Sequence, residues 1–188
     1  CAVVALICIV AVWLVPRPIG DLYVAYAGGR DIMEGKVVSG WMGYGLEHDD
    51  WCFDTTDRIW WDQNWGTHML YYGVHEAFGD AGMPWLKLAL LLLGATFILL
   101  AAGHLHSYLS VSLLVAGTIL LSGHAYIDLR PNLITLMLAP GMLWLLYRTR
   151  ENPKRIWQAL VLLTIWQAMH GGFMLGVGMI GLWTLCQG

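Results

Sequence analysis

Charge is scarce in this chain. Lys, Arg, Asp and Glu make up 12% of its 188 residues, against 58% hydrophobic, and the mean hydropathy is +0.60. So small a charged fraction excludes a disordered chain and an ordinary soluble domain. Ten bases against 13 acids exclude a nucleic-acid binder of the usual basic kind. Cysteine is nearly as uninformative. Three of the four cysteines, Cys1, Cys8 and Cys186, sit in apolar runs, and Cys52 stands alone in the polar stretch. That leaves no loop disulfide, no CxxC pair and no zinc-ligand spacing. A P-loop, HExxH and GxSxG are all missing, and the one GxGxxG, at 176–181, lies inside an apolar run rather than at a strand-to-helix turn, which argues against nucleotide-sugar chemistry on a Rossmann scaffold. What remains is an integral membrane protein.

The charge that is present is sorted. Residues 16–85 hold 11 of the 13 acids and four of the ten bases, a net −7, while the remainder carries +4. Residues 1–15 are continuously apolar and read as a first membrane helix. A signal-peptide core is the competing reading, but Pro16-Arg17-Pro18 lacks a small-x-small cleavage pattern. Further apolar runs cover 86–102, 109–122, 133–147, 156–169 and 173–185. Several are shorter than the roughly 20 residues of a full span, which tilted or broken helices accommodate. Residues 156–185 also read as one bent element around His170-Gly171-Gly172. The chain opens inside one apolar run and closes in or just after another, so it reads as a piece truncated at both ends.

The predicted fold class is therefore all-α integral membrane: a multi-pass helical bundle with a long outer loop. The loop at 148–155 carries four bases and one acid, and short basic loops stay in the cytoplasm. Counting crossings back from it puts residues 16–85, 124–132 and 170–172 outside and 104–108 inside. Asp21, Asp31, His48-Asp49-Asp50, Arg130 and His170 then share one membrane face. About 70 residues is too long for a structureless connection. Two amphipathic interfacial helices are predicted in it, near 21–34 and 64–78. Leu22, Ala25, Gly29, Ile32 and Met33 form the first stripe, and Gly35 stops it; Arg30 and Glu34 stand at i, i+4. Leu70, Val74, Ala77 and Phe78 form the second stripe, which Gly79-Asp80 ends.

Six of the 11 tryptophans lie in this loop. An interfacial aromatic belt accounts for such residues in general. Trp60, Trp61 and Trp65 beside Asp57, Asp62 and Asn64 also suit a polyhydroxylated ligand: rings cover C–H faces while carboxylates and amides take hydroxyls.

The ordered set of short motifs carries a resemblance. Asp21 follows the first apolar run, then Ala27-Gly28-Gly29-Arg30-Asp31-Ile32-Met33-Glu34-Gly35. Asp50-Trp51-Cys52-Phe53-Asp54-Thr55, Trp60-Trp61-Asp62-Gln63-Asn64-Trp65, Arg130-Pro131-Asn132-Leu133 and Trp166-Gln167-Ala168-Met169-His170-Gly171-Gly172-Phe173 come after it. This resembles the N-terminal portion of bacterial membrane proteins of the GT-C glycosyltransferase superfamily, in particular its mannosyltransferase-like and RgtA/B/C/D-like members. The resemblance implies a transferase that takes sugar from a polyprenyl-phosphate-linked donor at the outer face of the bacterial inner membrane. The acceptor would be a glycan, lipid or protein. It also implies that Asp21, early in the first outer loop, is the base.

Each candidate residue has a second reading. Asp21 is the catalytic candidate, since inverting transfer needs a carboxylate for the acceptor proton; a helix N-cap is its structural alternative. Arg130 is a natural phosphate ligand, permanently charged and forked, or else a partner of Asp128. Asp49-Asp50 could hold a divalent cation or form a solvated turn. His170 interrupts an apolar run and is either a site residue or a structural hydrogen bonder. Arg30, Asp31, Asp50, Trp61, Asn64 and Trp65 complete the substrate-binding candidates. A noncatalytic membrane scaffold or assembly subunit and, behind it, a transporter are the competing functions; no inverted repeat supports the transporter.

Overall fold

The computed structural model describes residues 20–40, 43–46, 60–105 and 128–187. The predicted segments at 1–15 and 109–122, and the Asp49-Asp50 pair, lie outside them. Described residues are mostly helical, in six α-helices: α1 Gly20–Met33, α2 Trp65–Phe78, α3 Gly82–Leu105, α4 Asn132–Glu151, α5 Ile156–Met169 and α6 Phe173–Gln187. A short 3-10 turn, Pro153–Arg155, joins α4 to α5. A small antiparallel sheet, absent from the sequence reading, stands between α1 and α2. It comprises β1 Val37–Gly40, β2 Gly43–Leu46 and β3 Trp60–Asp62, with Val37 opposite Leu46 and Gly45 opposite Trp61.

Helix α1 ends at Gly35, whose left-handed φ of 73° lets the Lys36 N–H reach back 2.9 Å to the Asp31 carbonyl. Its buried side is Leu22, Ala25, Tyr26 and Gly29, close to the predicted stripe, except that Met33 is exposed. In α2 the buried residues are Thr67, His68 and Tyr71, while Phe78 is exposed. Of the expected stripe, Leu70 and Val74 are partly buried against the core and Ala77 and Phe78 are exposed; the most buried positions lie about one turn earlier, where the polar partners described below satisfy the three side chains.

The two helices pack on each other, with Gly29 against His68 and Tyr72 and Tyr26 stacked on His75 at 4.2 Å, so they run antiparallel. A Cβ at Gly29 would lie 2.6 Å from Tyr72 Cβ and would also strike the His68 carbonyl. Gly29→Ala is therefore expected to force the helices apart and to cost about 1–3 kcal/mol, the usual range for overpacking. Thermal unfolding of the variant in detergent checks this; an unchanged midpoint would mean that the two helices separate freely.

Helix α3 is the one described helix long and apolar enough to cross a membrane, over the 22 residues Gly82–Gly103. It starts four residues before the predicted run because Pro84 falls in its first turn, where a missing N–H costs nothing. It packs on α4 through small residues: Gly94 meets Met137, and Gly141 meets the Phe97 ring. Helix α4 buries Leu133, Ile134, Met137, Leu138, Met142 and Leu146 and is the centre of the core. Its outgoing end carries Arg148 and Arg150, the signs that suit a helix C-terminus. Helices α5 and α6 cover α4 and break from each other at His170-Gly171-Gly172, as predicted. Trp166 of α5 is fully buried, with its ring against Gly176 of α6.

Candidate functional site

Asp21 occupies the first turn of α1, where a carboxylate is favoured by the helix dipole. Its Oδ2 lies 3.1 Å from Nε of Arg130, the residue just ahead of α4. Both side chains are partly exposed. The contact is Coulombic, because Nε makes no aligned hydrogen bond. The Arg130 backbone is held on both sides. Its N–H donates to the Asp128 carbonyl at 2.7 Å, and its carbonyl accepts from the Tyr71 hydroxyl at 3.2 Å. Burial pushes the Tyr71 phenol far above its usual range, so it remains a neutral donor. Two candidates 109 residues apart in sequence thus meet, and a side chain from α2 holds the backbone of one of them.

The alternative Asp128–Arg130 side-chain pair does not form. Asp128 instead faces Lys87 of α3, with Oδ1 and Nζ 3.8 Å apart and both side chains almost fully buried. Sequence reading missed Lys87, a lone base near the start of an apolar run; that position was the available signal.

The second cluster is also one that sequence reading missed. The Asp62 carboxylate accepts from His68 Nδ1 at 2.6 Å through Oδ2, and from the Asn64 N–H at 2.8 Å through Oδ1. The first bond orients the imidazole and commits Nδ1, which makes Nε2 the nitrogen left for chemistry. The second closes the turn between β3 and α2, and the Asn64 side chain itself makes no cap bond. The available signal was an acid and a histidine six residues apart across a strand, a turn and a helix.

This turn docks on the α5–α6 corner. Thr67 donates to the Met169 carbonyl at 2.5 Å, Gly66 lies against Ala168 and Met169, and Gln63 approaches Gly171. At the corner, His170 Nδ1 accepts from the Gly172 N–H at 3.1 Å, so that nitrogen carries no proton. Thr135 Oγ1 is 2.7 Å from the same Nδ1 and accepts from Trp166 Nε1 at 3.0 Å. The threonine proton therefore points to His170, and the ring is a neutral Nε2–H tautomer. Burial lowers the His170 pKa, which agrees with that assignment. His170 is thus a hydrogen-bonded corner residue, and as a neutral imidazole it offers Nε2–H as a donor.

Removing the bridge has a definite consequence. Thr135→Val leaves Trp166 Nε1 without an acceptor in a buried position, at a cost of about 1–3 kcal/mol in thermal stability. The depressed His170 pKa adds a pH dependence. Below the unfolded value of 6.5, the unfolded chain takes up the proton first. This contribution to stability is full above that value and is lost as pH falls through the folded value. Melting curves of wild type and variant at falling pH check both effects.

Other candidates are placed elsewhere. Asp31 and Arg30 sit at the opposite end of α1 from Asp21, about 15 Å along the helix. Arg30 Nη2 lies 3.1 Å from Asp31 Oδ1, and Lys36 bridges Asp31 and Glu34 at 3.9 and 2.5 Å. Glu34 thus takes Lys36 as its partner, which lowers its pKa, mainly through their hydrogen bond. Trp61 is half-buried in β3, and Asn64 and Trp65 open α2. Among the described residues no group of three or more His, Cys, Asp or Glu could hold a metal ion. No family model, curated protein or solved structure matches this chain.

Proposed function

We propose that the chain is part of an inverting membrane glycosyltransferase of the GT-C type. It would be a multi-pass bundle in the bacterial inner membrane with residues 16–85 on the outer face, moving a sugar from a polyprenyl-phosphate-linked donor to a glycan, lipid or protein acceptor. The observation that carries this reading is the Asp21–Arg130 pair: an acid able to take a proton stands beside a cation able to take a phosphate. In the reaction the acceptor hydroxyl oxygen bonds to the anomeric carbon, the bond from that carbon to the phosphate oxygen breaks, and the hydroxyl proton passes to Asp21. Arg130 takes up the charge left on the departing phosphate. Trp61, Asn64 and Trp65 fit the sugar's faces and hydroxyls.

The membrane part of the reading rests on α3 and on the outward faces of α5 and α6. Trp157, Leu160, Val161 and Ile165 of α5 and Met174, Leu175, Leu182 and Leu185 of α6 are all exposed. An apolar surface of that extent calls for lipid or protein cover. The deciding experiment is transfer of labelled sugar from a polyprenyl-phosphate donor pool in membranes holding the full-length protein, beside Asp21→Asn at matched expression. Absence of transfer by the wild type with every donor tried would replace the enzyme with a noncatalytic scaffold on the same fold.

A further inference from the structure

Among the described residues, three buried polar atoms around the start of α4 have no hydrogen-bond partner: Lys87 Nζ, Arg130 Nε and Asn132 Oδ1. The first two are charged and not isolated. Lys87 stands 3.8 Å from Asp128, and Arg130 stands 3.1 Å from Asp21. Each cation is thus neutralised by a carboxylate, yet neither of these nitrogens is engaged in a directed hydrogen bond. Such an arrangement is poor for stability. Burying Lys87 and Asp128 carries a desolvation cost that only close, well-aligned hydrogen bonds recover.

The same arrangement suits a ligand. A phosphate brings negative charge and several acceptor oxygens, and could draw each cation away from its carboxylate while satisfying its donors. Asn132 Oδ1, an acceptor, matches a hydroxyl next to the phosphate.

We propose that Lys87, Arg130 and Asn132 form a phosphate-binding subsite at the start of α4, in which Lys87 exchanges Asp128 for the phosphate of a membrane-borne ligand. The proposal rests on the glycosyltransferase reading for the ligand's isoprenoid chain, and on the orphaned donors for its phosphate. It adds a second cation, supplied from within helix α3, to the one that the sequence marked.

The test uses the full chain in phosphatidylcholine nanodiscs. Binding of undecaprenyl phosphate, phosphatidic acid and uncharged undecaprenol is measured for the wild type, for Lys87→Arg and for the doubly neutral Lys87→Met/Asp128→Asn. The double variant leaves no unpaired buried charge, so it is expected to fold, and its melting temperature checks that. Loss of one charge-assisted contact is expected to weaken undecaprenyl phosphate binding about tenfold or more. Undecaprenol binding stays unchanged, and Lys87→Arg retains most of the phosphate affinity. A folded double variant that binds undecaprenyl phosphate as the wild type does would overturn the subsite. Equal wild-type binding of phosphatidic acid, also lost in the double variant, would uphold the subsite and sink the polyprenyl-donor reading. A wild type that does not distinguish phosphate from alcohol would overturn both.

Discussion

Asp21→Asn is expected to lower sugar transfer about 10²–10⁴-fold, the usual worth of a positioned general base. Asparagine keeps the shape of aspartate and cannot take the acceptor proton. The structure adds a second expectation, about the donor. In the resting protein the Asp21 carboxylate competes with any phosphate for Arg130, because Oδ2 already lies 3.1 Å from Nε. Removing that charge frees the guanidinium, so the KM for the donor should stay level or fall while kcat collapses. A structural role would behave differently. If Asp21 only anchored Arg130, the neutral variant would loosen the arginine, and KM would rise with little change in kcat. Arg130→Gln should show the opposite split to Asp21→Asn, with donor affinity lost first. Transfer that survives Asp21→Asn would move the base elsewhere. Asp31 is a poor successor, being buried and already paired with Arg30 and Lys36 at the other end of α1. Asp50 would then be the residue to substitute next.

Helix positions were largely legible because they depend on local features. The prediction of 21–34 became Gly20–Met33, 64–78 became Trp65–Phe78, and 156–169 stands unchanged. Apolar spacing and stop signals such as Gly35 and Gly79, both with positive φ, define those ends. The three strands were not legible. Each is three or four residues long, and β1 and β2 include glycines, so no alternation of period two can build up. For the site, the shared face inferred from crossing number is consistent with Asp21 meeting Arg130. The Lys87–Asp128 pair and the Trp166–Thr135–His170 chain were missed for a common reason. Each depends on which turns meet: Lys87 and Asp128 are 41 residues apart, and Thr135 and His170 are 35 apart. Hydropathy also misdirects at α2. It ranks Phe78 above Thr67 and His68 for burial, whereas the fold exposes the phenylalanine and gives the polar pair partners.

Asp62→Ala is expected to be the most destabilising single substitution in the segment from β3 through α2, at about 3–5 kcal/mol, the range seen when one member of a buried pair is removed. Asp62 makes two bonds that nothing nearby can replace. The His68 imidazole, almost fully buried, would lose the carboxylate on Nδ1, and the Asn64 N–H would lose its acceptor at the start of α2. The loss would not remain local. The first turn of α2 carries Gly66 and Thr67 onto the α5–α6 corner, and the Thr67 bond to Met169 holds that corner against it. Loosening the turn should therefore detach the start of α2 from the α5–α6 corner, raising proteolysis near β3 before global unfolding. Two companion variants separate pair from position. Asp62→Asn keeps an acceptor for Asn64, and its amide N–H can donate to His68 Nδ1 once the imidazole shifts its proton to Nε2, so its cost should be below half that of Asp62→Ala. Asp62→Ala/His68→Leu removes the stranded imidazole and should recover part of the loss, a coupling that a double-mutant cycle reads directly. A double variant as unstable as the two singles summed would mean that the pair carries no shared energy, and that α2 is held by Thr67 and the glycine contacts alone.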